Sequence, residues 1–404
     1  MVWIPVISQI TLGAFAFLPF LQHQISISRW LKKPLKYPKE SPKDELMILL
    51  PVWNEGKIIG NKLDNLASHQ EIKTSLLIID SASNDNTVEI TKSWIVDNES
   101  KFHSINLIEM EERLGKTPAV CRALNYLSEQ NFEGLVLMTD ADATITEGSM
   151  ERMYGWFSDS TIGAVGAKAI RKQSTGSERP YRDMFETIRL GESNFDSTPF
   201  LEGSCMMWRS SALDISQLDK LSNADDAQIA TAVRLSGLKS IFDDKASFSD
   251  IAPPTIDGQR RQKIRRAQGL QRLLRRQKSN PRLKLIPRFK KIFRRQNYLH
   301  NVSPVLAFSA GLSAIARWVL VGINGIPTGN EAIIHASLGA IELFCLTAWL
   351  STRQGIVLPL LSKVGSILTG LEYLFIAKIN SLRGIPSHIW DQHSDTRELI
   401  SREN

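Results

Sequence analysis

Length, composition and charge restrict what this chain of 404 residues can be. With 43% hydrophobic residues, it is long enough for one full α/β domain and a second unit. Its three cysteines lie far apart without C-x-x-C spacing, which argues against a disulfide framework or a cysteine zinc site. The net charge of +7 comes from one segment, because residues 259–296 hold 16 Lys or Arg and no acid. The rest of the chain is therefore acidic, and a nucleic-acid-binding fold is not indicated.

The N-terminal region begins with an apolar stretch. Residues 2–21 carry no charge and are long enough to span a bilayer, although Pro5 and Pro19 limit a regular helix. Basic residues follow this stretch instead of preceding it, which favours an uncleaved anchor over the alternative, a cleaved signal peptide. We expect a transmembrane anchor over 1–24 and a basic linker over 25–45. By the positive-inside tendency, this linker keeps the following domain in the cytoplasm.

The middle of the chain, residues 46–256, alternates short apolar runs with amphipathic stretches. The predicted strands are 47–53, 76–80, 105–110 and 135–140, and the predicted helices are 58–69, a helix from residue 87, and 119–127. This alternation predicts an α/β fold with a mostly parallel sheet that helices cover on both faces. Ligands bind beyond the carboxyl ends of the strands in such sheets, where Asp80 and Asp140 stand.

The C-terminal half begins with the basic segment, 257–300. Its helical pattern has one apolar stripe, so we expect it to lie on anionic lipid headgroups, although its first residues could hold a diphosphate. Three apolar stretches, 302–323, 332–350 and 356–376, predict two or three membrane spans within 301–380, followed by a polar tail over 381–404. Charges interrupt these stretches, and charges at membrane depth usually face a bundle interior or a lumen: Arg317, Lys363 and Glu372.

Two acidic positions stand at predicted strand ends. Asp140 and Asp142 form a D-x-D pair, which suits a hard cation such as Mg²⁺ or Mn²⁺ that also bridges phosphates, although an ordinary loop can have this spacing. Asp80 precedes a polar turn whose side chains can cap the next helix. Asp80 itself is better placed to accept hydrogen bonds from a base or ribose.

Two further motifs have both a structural and a catalytic interpretation. Asp225 and Asp226 precede a helical pattern, where acids ordinarily interact with the helix dipole, but a carboxylate there could also be the base for an acceptor hydroxyl. Lys116 follows a glycine, yet Met110 stands where a phosphate-binding loop needs its first glycine. Lys116 is therefore either a phosphate contact or a surface charge.

Taken in order, a set of these residues resembles glycosyltransferase family 2, in particular the membrane-integrated branch that includes cellulose and hyaluronan synthases. The resemblance covers residues 46–268 and implies a GT-A nucleotide-sugar-binding domain flanked by transmembrane helices. It rests on Pro51, Asn54, Glu55, Asp80, Ser83, Asp85, Gly115, Lys116, Asp140, Asp142, Asp225, Asp226, Gln262 and Arg265.

The resemblance also implies roles for the donor-site residues. Asp80 contacts the nucleobase, and Pro51 and Glu55 shape the same pocket. Asp140 lies near the ribose and diphosphate, and Asp142 reaches the Mg²⁺ or Mn²⁺.

The acceptor side carries the remaining implied roles. Asp226 corresponds to the base. Gln262 and Arg265 match the start of Q-x-x-R-W, whose arginine binds the diphosphate, but Arg266 replaces the tryptophan that holds an acceptor sugar in polymerising members. Processive synthesis is therefore not implied. Glu202 has a possible contact with the acceptor, and its alternative is an ordinary acid at a strand end.

These expectations combine into one reaction: transfer of a hexose or amino sugar from a UDP-sugar, with inversion, to a hydroxyl of a polysaccharide or lipid-linked glycan. The expected partners are the donor, the acceptor and membrane lipids, without nucleic acid. One alternative is a polyprenyl-phosphate sugar synthase, whose ionised acceptor needs no base. Another is a catalytically silent glycan-binding membrane scaffold, which would not require both acids of D-x-D.

Overall fold

An α/β domain lies between long apolar helices in the computed structural model, which describes residues 3–69, 71–172, 178–251, 255–356, 358–386 and Arg397. The first half of the chain alternates helices and strands as predicted. Its elements are α1 (Trp3–Trp30), β1 (Leu46–Val52), α2 (Ile59–Ser68), β2 (Thr74–Asp80), α3 (Thr87–Asn98), β3 (Ile105–Glu109), α4 (Lys116–Glu129) and β4 (Leu135–Thr139).

The second half completes the sheet and adds a group of long helices. The elements are β5 (Thr144–Ile145), α5 (Ser149–Gly155), β6 (Ile162–Lys172), α6 (Glu178–Phe195), β7 (Cys205–Arg209), α7 (Asp225–Leu235), β8 (Lys239–Ile251), α8 (Ile256–Gln277), α9 (Pro287–Asn301), α10 (Ser303–Asn324), α11 (Gly329–Arg353) and α12 (Pro359–Leu382).

The eight strands form one sheet in the order β3-β2-β1-β4-β7-β6-β8-β5. Strands β1 to β4 are parallel to one another, and β6 is parallel to β8, whereas β7 and β5 run antiparallel to their neighbours. The α/β prediction is confirmed, and the sheet is mixed, because β7 returns beside β4 in the opposite direction. The carboxyl ends of β1, β2 and β4 lie along one edge.

Helices cover both faces of the sheet because strands such as β1 and β4 are buried along their whole length. On one face, Leu63 of α2 and Met153 of α5 pack against alternate residues of the strands. On the other face, Val120 of α4 and Ile229 of α7 do the same. This three-layer core holds in place the sheet edge from which the loops after β1, β2 and β4 begin.

The structure extends the predicted N-terminal helix. Helix α1 continues to Trp30, beyond the expected end of the anchor at residue 24, because its last turns pack on protein. The Trp30 ring stacks on Phe195 of α6 with 4.2 Å between ring centroids. His23 is fully buried and lies 3.2 Å from Glu192. The first residues of the predicted linker are therefore helical.

The basic segment contains two helices, α8 and α9, and both pack on the rest of the chain. Gln271 donates to the carbonyl oxygen of Leu374 in α12 at 2.8 Å. Arg276 donates to the carbonyl oxygen of Gln217 at 2.9 Å. Arg295 donates to the hydroxyl of Ser26 in α1 at 2.7 Å. Several basic side chains thus bind protein groups, and a lipid contact for this segment stays a prediction.

Within the described part of the chain, four helical segments are long and apolar enough to cross a membrane: Trp3–Trp30, Pro287–Asn324 (α9 and α10 together), Gly329–Arg353 and Leu360–Leu382. The charges within them mostly face other helices. Arg317 is fully buried and pairs with Glu342 at 2.7 Å. Glu372 accepts from the Trp349 indole at 2.8 Å, whereas Lys363 is exposed.

Candidate active site

A polar cavity of about 170 Å³ opens beyond the carboxyl end of β4, between the N-termini of α4 and α7 and the first turns of α8. The tertiary structure gathers here most of the residues that the sequence singled out. These lining residues are Lys116, Asp140, Asp142, Glu202, Asp225, Asp226, Gln262 and Arg265.

Lys116 links two acidic residues that are distant in sequence. Gly115 has φ of 102°, in the left-handed region that favours glycine, and this turn starts α4 at Lys116. The Lys116 amine lies 2.7 Å from Asp140 and 3.4 Å from Asp225. Burial works against these charges, but Asp140 and Asp225 raise the lysine pKa, and Lys116 lowers the pKa of Asp140. Lys116 is therefore an internal ion-pair partner and not a surface charge.

A buried lysine supports the D-x-D loop from behind. The amine of Lys62 donates to the Thr139 hydroxyl at 2.8 Å and to the carbonyl oxygen of Ala143. Burial lowers the pKa of Lys62 to about 8. Sequence analysis missed this residue, although its place on the apolar face of α2, beside Leu63, is an available signal. Lys62 thus fixes the loop that carries Asp142.

The D-x-D residues fit a divalent cation that binds together with a diphosphate. Asp142 has a side chain 26% exposed, whereas the oxygens of Asp140 face Lys116 and the Ser204 hydroxyl, the latter at 2.9 Å. Among the described residues, no group of three or more His, Cys, Asp or Glu could hold a metal by itself. Mg²⁺ and Mn²⁺ commonly need only one or two carboxylates when substrate phosphates complete the shell. Asp142 can supply that carboxylate, and direct ligation by Asp140 stays a prediction.

The carboxylate of Asp226 is held at the start of α7. It accepts hydrogen bonds from the backbone N–H of Ala227 at 2.6 Å and of Gly203 at 3.2 Å. A Cβ atom at position 203 would lie 3.2 Å from the Asp226 Cβ and 3.4 Å from the Lys116 amine, so glycine permits this close approach. Burial, then Asp225, then Glu202 raise the pKa of Asp226 to about 7. A carboxyl of this kind can exchange a proton near neutral pH.

Asp225 does more than face a helix dipole. Its side chain is 5% exposed and lies 3.4 Å from Lys116. The interpretation of Asp225 as mainly a helix-terminus acid is therefore incomplete.

Glu202 is enclosed by arginines. Its carboxylate lies 2.7 Å from Arg189 and 3.8 Å from Arg266, the residue at the tryptophan position of Q-x-x-R-W. Burial raises the pKa of Glu202, but Arg189, Arg266 and Arg171 outweigh it and lower the pKa to about 2. Glu202 is thus ionised, and Arg266 contributes to the positive charge around it.

The three residues expected around the nucleobase do not line this cavity. Pro51 is buried in β1, and Asp80 is 2% exposed and accepts from the backbone N–H of Ser83 at 2.8 Å. Glu55 is fully buried. Their contacts with a base stay predictions.

Glu55 instead connects to the site through Arg397, near the end of the chain. The guanidinium donates two hydrogen bonds to the Glu55 carboxylate, at 2.9 and 2.7 Å, and lies 3.3 Å from Asp142. Burial raises the pKa of Glu55 to about 7, although Arg397 opposes the increase. Sequence analysis missed Arg397, because no local pattern marks a partner 342 residues away.

The first turns of α8 close the cavity opposite the D-x-D loop. Gln262 and Arg265 both line it, as their match to Q-x-x-R-W implied. The Arg265 backbone carbonyl accepts from the Asn223 amide at 3.1 Å, which ties α8 to the loop before α7. A helix of basic residues therefore faces the two acids of α7.

Comparison with known proteins gives a family match for the central part of the chain. Residues 47–215 match the model of glycosyl transferase family 2. The chain is 25% identical over 231 residues to poly-beta-1,6-N-acetyl-D-glucosamine synthases of Staphylococcus aureus and Staphylococcus epidermidis. Those matches cover 55% of this chain and 54% of the relatives, so the chain spans about half the length of the curated relatives it matches.

A solved structure resembles nearly the whole chain, including the apolar helices. It is the mannosyltransferase PcManGT from Pyrobaculum calidifontis in complex with GDP-Man and Mn²⁺. The TM-score is 0.72 and the identity 25%, and the match covers 94% of this chain and 99% of that one.

Proposed function

Since the chain carries a family 2 glycosyltransferase domain of the GT-A fold, we propose that it is a membrane-bound, inverting transferase that uses a nucleotide diphosphate sugar. One observation carries the proposal above all. The predicted base, Asp226, the D-x-D acids and the predicted diphosphate ligand, Arg265, line a single cavity. These groups come from the loop after β4, from α7 and from α8, and together they can bind a metal, activate an acceptor hydroxyl and hold the leaving diphosphate.

The reaction is one direct displacement. The acceptor hydroxyl oxygen forms a bond to the anomeric carbon while the bond from that carbon to the diphosphate oxygen breaks. The hydroxyl proton moves to the Asp226 carboxylate, and the diphosphate leaves with the electron pair. Arg265 stabilises the leaving diphosphate, and Lys116 holds Asp140 in place beside it.

Mg²⁺ or Mn²⁺, bound by Asp142 together with the donor phosphates, would neutralise charge on the leaving group. The relative solved with Mn²⁺ supports this part of the proposal. On the basis of the sequence resemblance, the proposed donor is a UDP-sugar that carries a hexose or an amino sugar. GDP-mannose is the rival donor, since the same relative was solved with GDP-Man.

The acceptor is a hydroxyl of a polysaccharide or lipid-linked glycan. A phosphate acceptor is already ionised and needs no base, so the raised pKa of Asp226 favours a hydroxyl over a polyprenyl phosphate. Arg266 takes the position of the acceptor-holding tryptophan, and we therefore propose a limited transfer instead of processive synthesis.

The proposed topology puts the catalytic domain, residues 46–256, on the cytoplasmic side. The four apolar helices anchor it, and the basic residues between α1 and β1 follow the positive-inside tendency. The supply of nucleotide sugars in the cytoplasm fits this orientation.

A donor panel tests the function. Purified membranes would be incubated with UDP- and GDP-sugars, with Mg²⁺ or Mn²⁺, and nucleotide release would be measured for the wild type and Asp226→Asn. We expect one donor to be consumed and the variant to lose roughly 10²- to 10⁴-fold in rate with its donor affinity kept. Asp244→Asn, an exposed carboxylate of β8, is the matched control. No release from any donor, or a wild-type rate in Asp226→Asn, would overturn the proposal.

A further inference from the structure

A second cavity, of about 230 Å³, adjoins the active site on the side of the apolar helices. Helices α1, α6, α8 and α12 surround it, together with the junction of α9 and α10. Both cavities share part of their wall, including Glu202, Gln262 and Arg266. A molecule that occupies this cavity therefore reaches the edge of the active-site cavity at one end.

The far end of the cavity is apolar. Phe17 and Phe20 of α1, Met184 and Phe185 of α6, and Leu371 of α12 line it. Phe17 is 39% exposed, so the cavity reaches the outer surface of helices that are long and apolar enough to cross a membrane. Such a lining offers few of the hydrogen bonds that a sugar chain requires, and it suits a hydrocarbon chain that enters from the bilayer.

The end nearer the active site is positively charged. Five basic side chains line the cavity against two acidic ones, Glu186 and Glu202, and Asp250 of the neighbouring cavity pairs with one of the five, Arg171, at 2.9 Å. The basic residues are Arg171, Arg182, Arg189, Lys263 and Arg266. Arg171, Arg189 and Arg266 also line the active-site cavity, so basic residues lie where the two cavities meet, the place that a linking phosphate would occupy between a lipid chain and a saccharide.

We propose that this cavity binds the lipid of the acceptor: a saccharide carried on an isoprenoid phosphate or diphosphate. The hydrocarbon chain lies along α1 and α12, the phosphate lies at the basic residues, and the saccharide hydroxyl reaches Asp226. This inference rests on the proposed function and selects one of its two acceptor classes. It assigns α1 a part in substrate binding in addition to anchoring.

Binding of isoprenoid phosphates without donor or metal tests the inference separately from catalysis. The full chain in nanodiscs would be titrated with radiolabelled isoprenoid phosphates of eleven units and of two units. We expect saturable binding, tighter for the long chain. Loss of transfer activity with intact lipid binding would contradict only the proposed function. Transfer to soluble glycans without saturable lipid binding would contradict only this inference.

Two kinds of variant separate the chain-binding end from the phosphate-binding end. Leu371→Trp fills the apolar end and should weaken binding of the long probe by roughly tenfold or more. Loss of the burial of only two methylene groups already has about that effect on affinity. Binding of the short probe should change little. The double variant Arg182→Gln with Lys263→Gln should weaken the binding of both probes to the same extent. The controls are Leu343→Trp, on the exposed face of α11, and Lys278→Gln with Lys284→Gln, two exposed residues.

A photolabel gives a test that needs no variant. A long isoprenoid phosphate with a diazirine in its chain would be crosslinked to the wild-type protein, and the labelled peptides identified by mass spectrometry. We expect label on α1, α6 and α12 that the unlabelled long probe displaces. Label confined to the outer face of α11, or identical affinities in the filled and control variants, would overturn the inference.

Discussion

Arg397 donates two hydrogen bonds to Glu55, at 2.9 and 2.7 Å, and lies beside the D-x-D loop. Glu55 is fully buried, and this guanidinium neutralises it. Because Arg397 also lies 3.3 Å from Asp142, the pair connects the end of the chain to the expected metal ligand.

Arg397→Ala should destabilise the protein more at pH 8 than at pH 6. The pKa of Glu55 is already raised from 4.5 to about 7, so the folded state binds more protons than the unfolded state between these values, and stability falls as pH rises. Without Arg397 the pKa of Glu55 increases further, and the loss of folding stability continues to higher pH. Thermal unfolding in detergent at both pH values measures this. Arg383→Ala, at an exposed site after α12, is the control, and an equal loss at both pH values would contradict the assignment.

Glu202→Gln should move the pH dependence of transfer to lower pH. A general base acts when deprotonated, so kcat/KM should rise as pH increases through about 7, the raised pKa of Asp226. The Glu202 carboxylate is one of the groups that raise the pKa of Asp226, so its removal lowers that pKa. The variant also leaves the positive charges of Arg189 and Arg266 without their carboxylate partner, which lowers the pKa of Asp226 further. The pH–rate profile measures the shift. Glu147→Gln, an exposed acid, should not move it, and a shift to higher pH would show that another group titrates.

Lys116→Met should cost about 3 kcal/mol of stability at pH 7, because it leaves Asp140 and Asp225 close together without their cation. Asp140 has a lowered pKa in the folded wild type, so the lysine stabilises the fold above the ordinary aspartate pKa and loses this effect as pH falls. The difference between variant and wild type should therefore shrink as pH falls below the ordinary aspartate pKa of 3.8. Denaturant unfolding measures it, with the exposed Lys278→Met as control, and a difference that grows on acidification would contradict the ion-pair account.

Asp142→Asn should abolish nucleotide release and the binding of Mn²⁺ in the presence of nucleotide, with the unfolding temperature nearly unchanged. The reason is that Asp142 is the partly exposed carboxylate of the D-x-D pair, whereas Asp140 forms an ion pair with Lys116. Electron paramagnetic resonance of Mn²⁺ measures binding, and Asp244→Asn is the control. Undiminished activity of the wild type in EDTA would refute the metal role.

The sequence by itself predicted the elements and most of the residues that line the candidate active site, because both depend on local patterns. The buried strands before Asp80 and Asp140 are short apolar runs with acids at their ends, and a parallel sheet brings such ends to one edge. Gln262, Arg265 and Asp226 were identified by their order in a family motif. The long apolar stretches identified α1, α10, α11 and α12.

Only the tertiary structure decided which charges meet. Lys116 had two interpretations until folding brought Asp140 and Asp225 to it, and Arg397 gave no signal, since its partner is 342 residues away. The apolar face of α2 marks Lys62 as a buried residue, but the pattern of one helix does not show which groups lie opposite. Ion pairs and cavities depend on distances of a few ångströms between separate elements, whereas a local pattern fixes only what lies within one strand or one turn of helix.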